Sequence, residues 1–195
     1  MKLPAQPSLS TARLLLKPLG FDDAAKVQEY AGSAEVAATT SSIPHPYPDG
    51  AALAWIQTHP ILFETGAGAV FGIFQEGQGL IGCIGLGVDR ESRNAELGYW
   101  IGQPFWSRGY ATEAAHIVVA FGFAYFALHK IHAKCMASNL RSVRVLEKIG
   151  MRREGLRTEH FHKESTGFHD VAEYGILIRD WNARQVSANG GEAEN

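Results

Sequence analysis

Cysteine is scarce in this chain: Cys83 and Cys135 are the only two in 195 residues. Both sit in apolar contexts, which excludes a disulfide-stapled scaffold and suits a reducing, cytoplasmic compartment. Net charge is nearly absent as well. A value of −2 and a pI of about 6.4 give no global attraction to nucleic acid. No apolar run is long enough for a bilayer: the longest, Ile117 to Leu128, is twelve residues and reads as a buried core helix. Met1-Lys2-Leu3-Pro4 leads into polar residues without an apolar stretch, so no secretory signal and no membrane partner are expected. Two phosphate-binding fingerprints are missing, Gly-x-x-x-x-Gly-Lys-Ser/Thr and Gly-x-Gly-x-x-Gly after a first strand. No internal repeat is apparent.

What is there reads as one globular domain. The composition is 46% hydrophobic and 19% charged, and 195 residues bury a substantial core. Thr11 to Leu19, with Leu14-Leu15-Leu16, reads as a first strand. Asp22 caps a helix through about Tyr30. Ile43-Pro44-His45-Pro46-Tyr47-Pro48, preceded by Ser41-Ser42, excludes regular helix and central strand, because each proline lacks a donor and restricts its neighbour. Asp49 is expected to cap a second helix through about Glu64. Three strands follow, Ala69–Gln75, Leu80–Asp89 and Asn94–Ile101, joined by short turns that imply an antiparallel meander. A long helix runs from Ala111 to about Leu128. A strand, Lys130–Ala137, leads to a helix from Ser138 or Asn139 that Gly150 ends. Strands at about Arg152–His162 and His169–Ile178 close the order β-α-α-β-β-β-α-β-α-β-β. This is a mixed α/β domain over residues 10–181 with about seven strands and four helices. Residues 1–9 form an N-terminal arm, and 187–195, without large apolar side chains, are expected to be a disordered tail.

The richest stretch is Trp106-Ser107-Arg108-Gly109-Tyr110-Ala111-Thr112-Glu113-Ala114, between a strand and the long helix. The first N–H groups of a helix have no intrahelical partner, and the helix dipole adds positive charge there. Gly109 lets the backbone approach an anion closely, Ala111 avoids bulk, Thr112 offers a hydroxyl and Arg108 a formal charge. Taken alone, the turn fits a phosphate seat and a plain loop-to-helix junction equally well.

The chain as a whole resembles the GNAT N-acetyltransferase superfamily, and within it the RimJ/RimL type that acetylates N-terminal amines of ribosomal proteins. The resemblance runs from about Ser10 to Trp181. It is carried by Thr11-Ala12-Arg13-Leu14-Leu15-Leu16, the Pro-rich loop before Trp55, Glu96-Leu97-Gly98-Tyr99-Trp100-Ile101, the turn at Trp106–Ala114, and Asn139 to Met151. The superfamily's acyl-CoA motif, Gln/Arg-x-x-Gly-x-Gly/Ala, is matched by Gly109 and Ala111, while Trp106 stands at its first position as in the RimJ/RimL branch. The resemblance implies a central sheet splayed between its fourth and fifth strands and acetyl-CoA as co-substrate. It further implies a pyrophosphate on the N–H groups from Arg108 to Thr112, and a homodimer as one assembly.

The same resemblance assigns the chemistry. N–H groups near Trp100 and Ile101 would face the thioester carbonyl, as an oxyanion hole does. The amine attacks directly, without an acyl-enzyme. Glu96 is the candidate base, with a solvated or Arg-paired carboxylate as the alternative. A family tyrosine seven residues after the Asn is replaced by Leu146. The RimJ/RimL branch has a Ser three residues after the Asn, and the resemblance gives the acid role to Ser142, with a capping or first-turn Ser as the alternative. Asn139 either bonds the pantetheine arm or caps its helix. Glu35, Tyr47 and Trp55 are candidate acceptor-lining residues, Trp55 being equally suited to core. The acceptor is expected to be a primary amine, on a protein N-terminus or on a small molecule such as an amino acid, a polyamine or an aminoglycoside. A binding module without turnover is the reading from another class. Cys135 reads as structural, and His160, His162 and His169 lack a ligand set that would hold a metal.

Overall fold

The computed structural model describes residues 5–40, 42–164 and 166–190. Its strands are β1 (Leu9–Ser10), β2 (Leu14–Lys17), β3 (Gly68–Gln75), β4 (Gly79–Asp89), β5 (Asn94–Ile101), β6 (Lys130–Met136), β7 (Arg152–Lys163) and β8 (Gly167–Leu177). Its helices are α1 (Ala24–Ala31), α2 (Ala34–Thr39), α3 (Ala51–Gln57), α4 (His59–Glu64), α5 (Tyr110–Tyr125), α6 (Leu140–Lys148) and α7 (Ile178–Gly190). All eight strands join one sheet in the order β1-β2-β3-β4-β5-β6-β8-β7. Strands β3 to β5 form the antiparallel meander that the short turns imply, and β2 and β1 extend it antiparallel along the β3 edge.

Each face of the sheet is covered by a different set of helices. Side chains alternate along a strand, so Ile84, Leu86, Ala95, Leu97, Ile131 and Ala133 share one face, each no more than 2% exposed. They pack with Ala114, Ala115, Val118 and Val119 of α5, which are fully buried. The opposite face carries a second cluster, Val27, Ala31, Ala52, Ile56, Leu80 and Cys83, with Trp100 against it.

Strands β5 and β6 are parallel and pair only at Asn94↔Lys130, Ala95↔Ile131 and Glu96↔His132. Beyond those positions each stays bonded to its outer neighbour. β5 follows β4 as far as Ile101, and β6 follows β8 as far as Met136. The sheet therefore opens as a wedge from Leu97 onward, the splay expected between these two strands.

Several elements depart from expectation. A two-residue strand, Leu9–Ser10, recruits the end of the N-terminal arm. The helix expected from Asp49 to Glu64 breaks at Thr58, because Pro60 has no N–H and is tolerated only at the start of α4. Gly50, at φ 76°, precedes α3 in place of Asp49, whose carboxylate accepts from Gln28 at 3.1 Å. A 3-10 turn, Phe21–Asp23, takes the place of an Asp22 cap. The extra helix α2 starts at Ser33, whose hydroxyl accepts from the Val36 N–H at 3.2 Å. Helix α7 runs through Gly190, into the stretch expected to be tail. Trp181, 5% exposed and tilted against the Phe123 and His116 rings, anchors its first turn, and helix extension then adds one bond per residue. The remainder of that stretch, 191–195, lies outside the described residues, as does Ser41.

Candidate active site

The turn before α5 is shaped for an anion by its backbone. Ser107 (φ 61°) and Gly109 (φ 81°) are both left-handed, and only glycine adopts that conformation without cost. No side chain caps α5, and its first i→i−4 bond is Glu113 N–H to Gly109 O at 3.1 Å. The N–H groups of Tyr110, Ala111 and Thr112 thus have no acceptor among the described residues. All three residues line one cavity of about 1710 Å³. Arg108 is exposed, makes no ion pair among the described residues, and lies 6.0 Å over the Phe105 ring.

Residues outside the turn hold it in place. Glu113 accepts from Thr11 Oγ1 at 2.6 Å, from Arg13 Nε at 2.7 Å and from the Arg13 N–H at 3.1 Å. Arg13 also donates to Arg108 O at 3.1 Å, and its guanidinium covers the Tyr110 ring at 4.8 Å. Trp106 ties the turn back to β5 through its indole N–H, which donates to Ile101 O at 2.6 Å. The Thr11-Ala12-Arg13 motif, carried only as a family resemblance, is therefore a clamp on the turn.

The wedge between β5 and β6 opens beside this turn. Gly102 N–H donates to Ile81 O at 2.9 Å, so it points toward β4. Peptide direction alternates along a strand, so the Trp100 N–H also faces β4, while those of Leu97, Tyr99 and Ile101 face the opening. Of the two N–H groups expected there, that of Ile101 faces the opening and that of Trp100 faces β4, while the Tyr99 N–H faces the opening as well. The Trp100 side chain lines the cavity on the opposite face instead.

Ser142 stands at the start of α6. Its N–H donates to Asn139 Oδ1 at 3.1 Å, which makes Asn139 a helix cap, and Asn139 Nδ2 donates across to Thr39 O of α2 at 3.2 Å. The Ser142 hydroxyl lies 2.8 Å from the Tyr99 hydroxyl. Tyr99 escaped the sequence reading, which took it as a strand aromatic. Burial pushes its phenol far above the ordinary range, although the bond to Ser142 partly opposes this, so it keeps its proton. Leu146, at the vacant tyrosine position, is a core residue at 1% exposure.

Glu96 shares its sheet face with Gly98 and Trp100, the face that α1 and α3 cover, and is bridged to Lys134 at 3.1 Å. Tyr47 and Trp55 line the cavity on that side; burial raises the Tyr47 phenol. Glu35 is exposed on α2 and does not line the cavity, because Val36 and Ala37 take the inward positions of that short helix. Cys135 lines the cavity, and burial raises its thiol, which lowers its nucleophilicity. The three histidines diverge: His160 meets Arg157, His162 meets the Phe168 ring, and His169 meets Thr166. No group of three or more His, Cys, Asp or Glu is arranged to hold a metal among the described residues. None of the described helices is long and apolar enough to cross a membrane.

A family model described as an acetyltransferase (GNAT) domain matches residues 13–152. The uncharacterized N-acetyltransferase YoaA of Bacillus subtilis (strain 168) is 30% identical over 178 residues, 88% of this chain and 97% of the relative. Among solved structures, the ribosomal L7/L12 alpha-N-protein acetyltransferase RimL in complex with coenzyme A has a TM-score of 0.79 at 16% identity. It covers 88% of this chain and 97% of that one. The Vibrio cholerae spermidine N-acetyltransferase in complex with CoA and spermine has a TM-score of 0.77 at 21% identity, covering 88% and 99%. These two likenesses share the fold, and the named acceptors differ. Joined to the wedge and the unpartnered helix start, the match over 13–152 shows that the chain belongs to the GNAT family of N-acetyltransferases, whose donor is acetyl-CoA.

Proposed function

We propose that this chain transfers the acetyl group of acetyl-CoA to a primary amine by direct attack. One observation carries the reading. The unpartnered N–H groups of α5, the wedge between β5 and β6, Ser142 and Glu96 all open into one cavity. The pyrophosphate of the donor would lie on the N–H groups from Gly109 to Thr112, with Arg108 supplying charge at the rim. The N–H groups of Tyr99 and Ile101 would meet the negative charge that grows on the thioester oxygen.

Two protons have to move. The amine nitrogen attacks the carbonyl carbon as the carbon–sulfur bond breaks; nitrogen loses a proton and sulfur gains one. Glu96, on the acceptor face, accepts the proton from the amine directly or through water. Ser142 donates toward the departing sulfur from the other face. The acceptor is a protein N-terminus or a small-molecule amine, and thiol release from acetyl-CoA across a panel of both tests the reading. Glu96→Gln is expected to lower kcat about 10- to 100-fold at pH 7, and less at pH 9, because an α-amine with a pKa near 8 then deprotonates unaided. Acetyl-CoA binding without thiol release from any acceptor would identify a binding module instead.

A further inference from the structure

We infer that the acceptor is a monoamine with an apolar body, and that polyamines are poor substrates because every carboxylate in the cavity is already paired with a cation. This rests on the transfer reaction proposed above and narrows its acceptor.

Among the described residues, three carboxylates line the cavity, Glu96, Glu154 and Glu173. Each has a partner that lines it too: Lys134 at 3.1 Å, Lys130 at 2.6 Å and Arg157 at 2.5 Å. Three further cations, Arg141, Arg144 and Lys148 of α6, line the cavity without an ion pair among the described residues. That surplus lies on the face that holds the donor's phosphates. On the acceptor face the charges cancel pairwise, and the wall is apolar: Val36, Ile43, Tyr47, Trp55, Trp100 and Phe161.

Reaction chemistry makes this balance selective. The attacking nitrogen must be neutral, so a monoamine enters the transition state with no charge of its own. Its apolar body then gains by leaving water against the aromatic wall. A polyamine gives up one charge and keeps the others. Those remaining ammonium groups find no free carboxylate, and they stand beside Lys134 and Arg157, where like charges repel. Glu96 must also leave Lys134 in part to receive a proton, so it cannot anchor a second ammonium at the same time.

The test is thiol release from acetyl-CoA at pH 8 and fixed salt with four acceptors. They are phenethylamine, a peptide amide beginning Ala-Phe with uncharged side chains, putrescine and spermidine. At least one monoamine is expected to exceed both polyamines in kcat/KM by about ten-fold or more. Comparing phenethylamine with the peptide separates a small molecule from a protein N-terminus. Arg157→Ala unpairs Glu173 and is expected to lower the ratio of the spermidine KM to the phenethylamine KM about three-fold or more. Spermidine or putrescine as the better substrate of the unmodified protein would overturn the inference and leave acetyl transfer standing. Absence of thiol release with every amine, with acetyl-CoA still bound, would defeat the transfer reaction and this inference together.

Discussion

The Ser142 hydroxyl meets the wedge already bonded to Tyr99, at 2.8 Å, and the Tyr99 hydroxyl also lies 3.4 Å from Ser142 O. With the phenol held protonated, the pair keeps a proton for the wedge whichever hydroxyl donates within it. A hydrogen bond to a departing thiolate is worth about 1.5–3 kcal/mol, so Ser142→Ala is expected to lower kcat about 10- to 100-fold. Tyr99→Phe removes only a neutral bond and is expected to cost about 3- to 10-fold in kcat, with the KM for acetyl-CoA unchanged in both variants. Unaltered kcat in Tyr99→Phe would leave Ser142 acting alone. Ser142 became a candidate through the family resemblance, whereas nothing local announces a contact with Tyr99 43 residues earlier. His59 is a residue of a different kind. It is 5% exposed, edge-on to Trp55 at 4.4 Å, and neither ring nitrogen has a partner among the described residues. Burial lowers its pKa to about 4. The unfolded chain, with an ordinary value near 6.5, binds the proton first as pH falls. Stability present above about pH 6.5 is therefore lost as pH drops toward 4. His59→Leu removes that dependence, and its melting temperature should gain on the unmodified protein between pH 7 and pH 5. An equal difference at both pH values would mean that the imidazole is not held neutral.

Helix α5 shows how an element is placed by residues far from it in sequence. Its start was legible from Gly109 and the apolar run behind it, but the clamp was not, since Thr11 and Arg13 lie 102 and 100 residues from Glu113. The Glu113 carboxyl is held below its ordinary range. Burial raises it, and the bonds from Thr11 and Arg13 more than offset that. Its negative charge in the first turn also complements the helix dipole. Glu113→Ala releases Arg13 from the turn, and the left-handed backbone at Ser107 loses part of what holds it. The expected result is a KM for acetyl-CoA raised about three- to ten-fold, with a lower melting temperature, while the KM for the acceptor changes little. An acceptor KM that rose equally would place the clamp's effect on the whole fold rather than on the turn. The break between α3 and α4 was missed although Pro60 stands in the sequence, and the Asp49 cap was misplaced because its carboxylate bonds a side chain of another helix.

Across the whole molecule, the proposed phosphate seat comes from consecutive residues, although the clamp that holds it does not, and the proposed acceptor side is assembled from elements far apart in the chain. Gly109 to Thr112 form their seat locally, so sequence pattern reaches them. The acceptor side joins α1, α2, the Pro-rich loop, β6 and the β7–β8 hairpin, and only folding shows that Tyr47 faces it while Glu35 does not. Helix α2 closes this side and is fastened at its C-terminal end from two directions. Asn139 Nδ2 donates to Thr39 O at 3.2 Å, and Lys163 Nζ at the end of β7 donates to Ala37 O. The Asn139 bond satisfies a carbonyl that the helix end leaves without an intrahelical partner, the Lys163 bond adds to one that already accepts from the Thr40 N–H at 3.4 Å, and a cation there suits the dipole. Six residues cannot hold a helix by propensity alone, so these fastenings and the burial of Val36 and Ala37 keep α2 in place. Lys163→Met keeps the apolar stem and removes the donor. Amide exchange over Ala34–Thr40 should quicken while α6, still capped by Asn139, exchanges as before. The KM for the acceptor should rise about two- to five-fold at constant KM for acetyl-CoA, the cost of one lost hydrogen bond to a charged group being partly recovered by water. If both KM values moved together, α2 would be part of the donor site, and the division of the cavity into two independently fastened halves would be wrong.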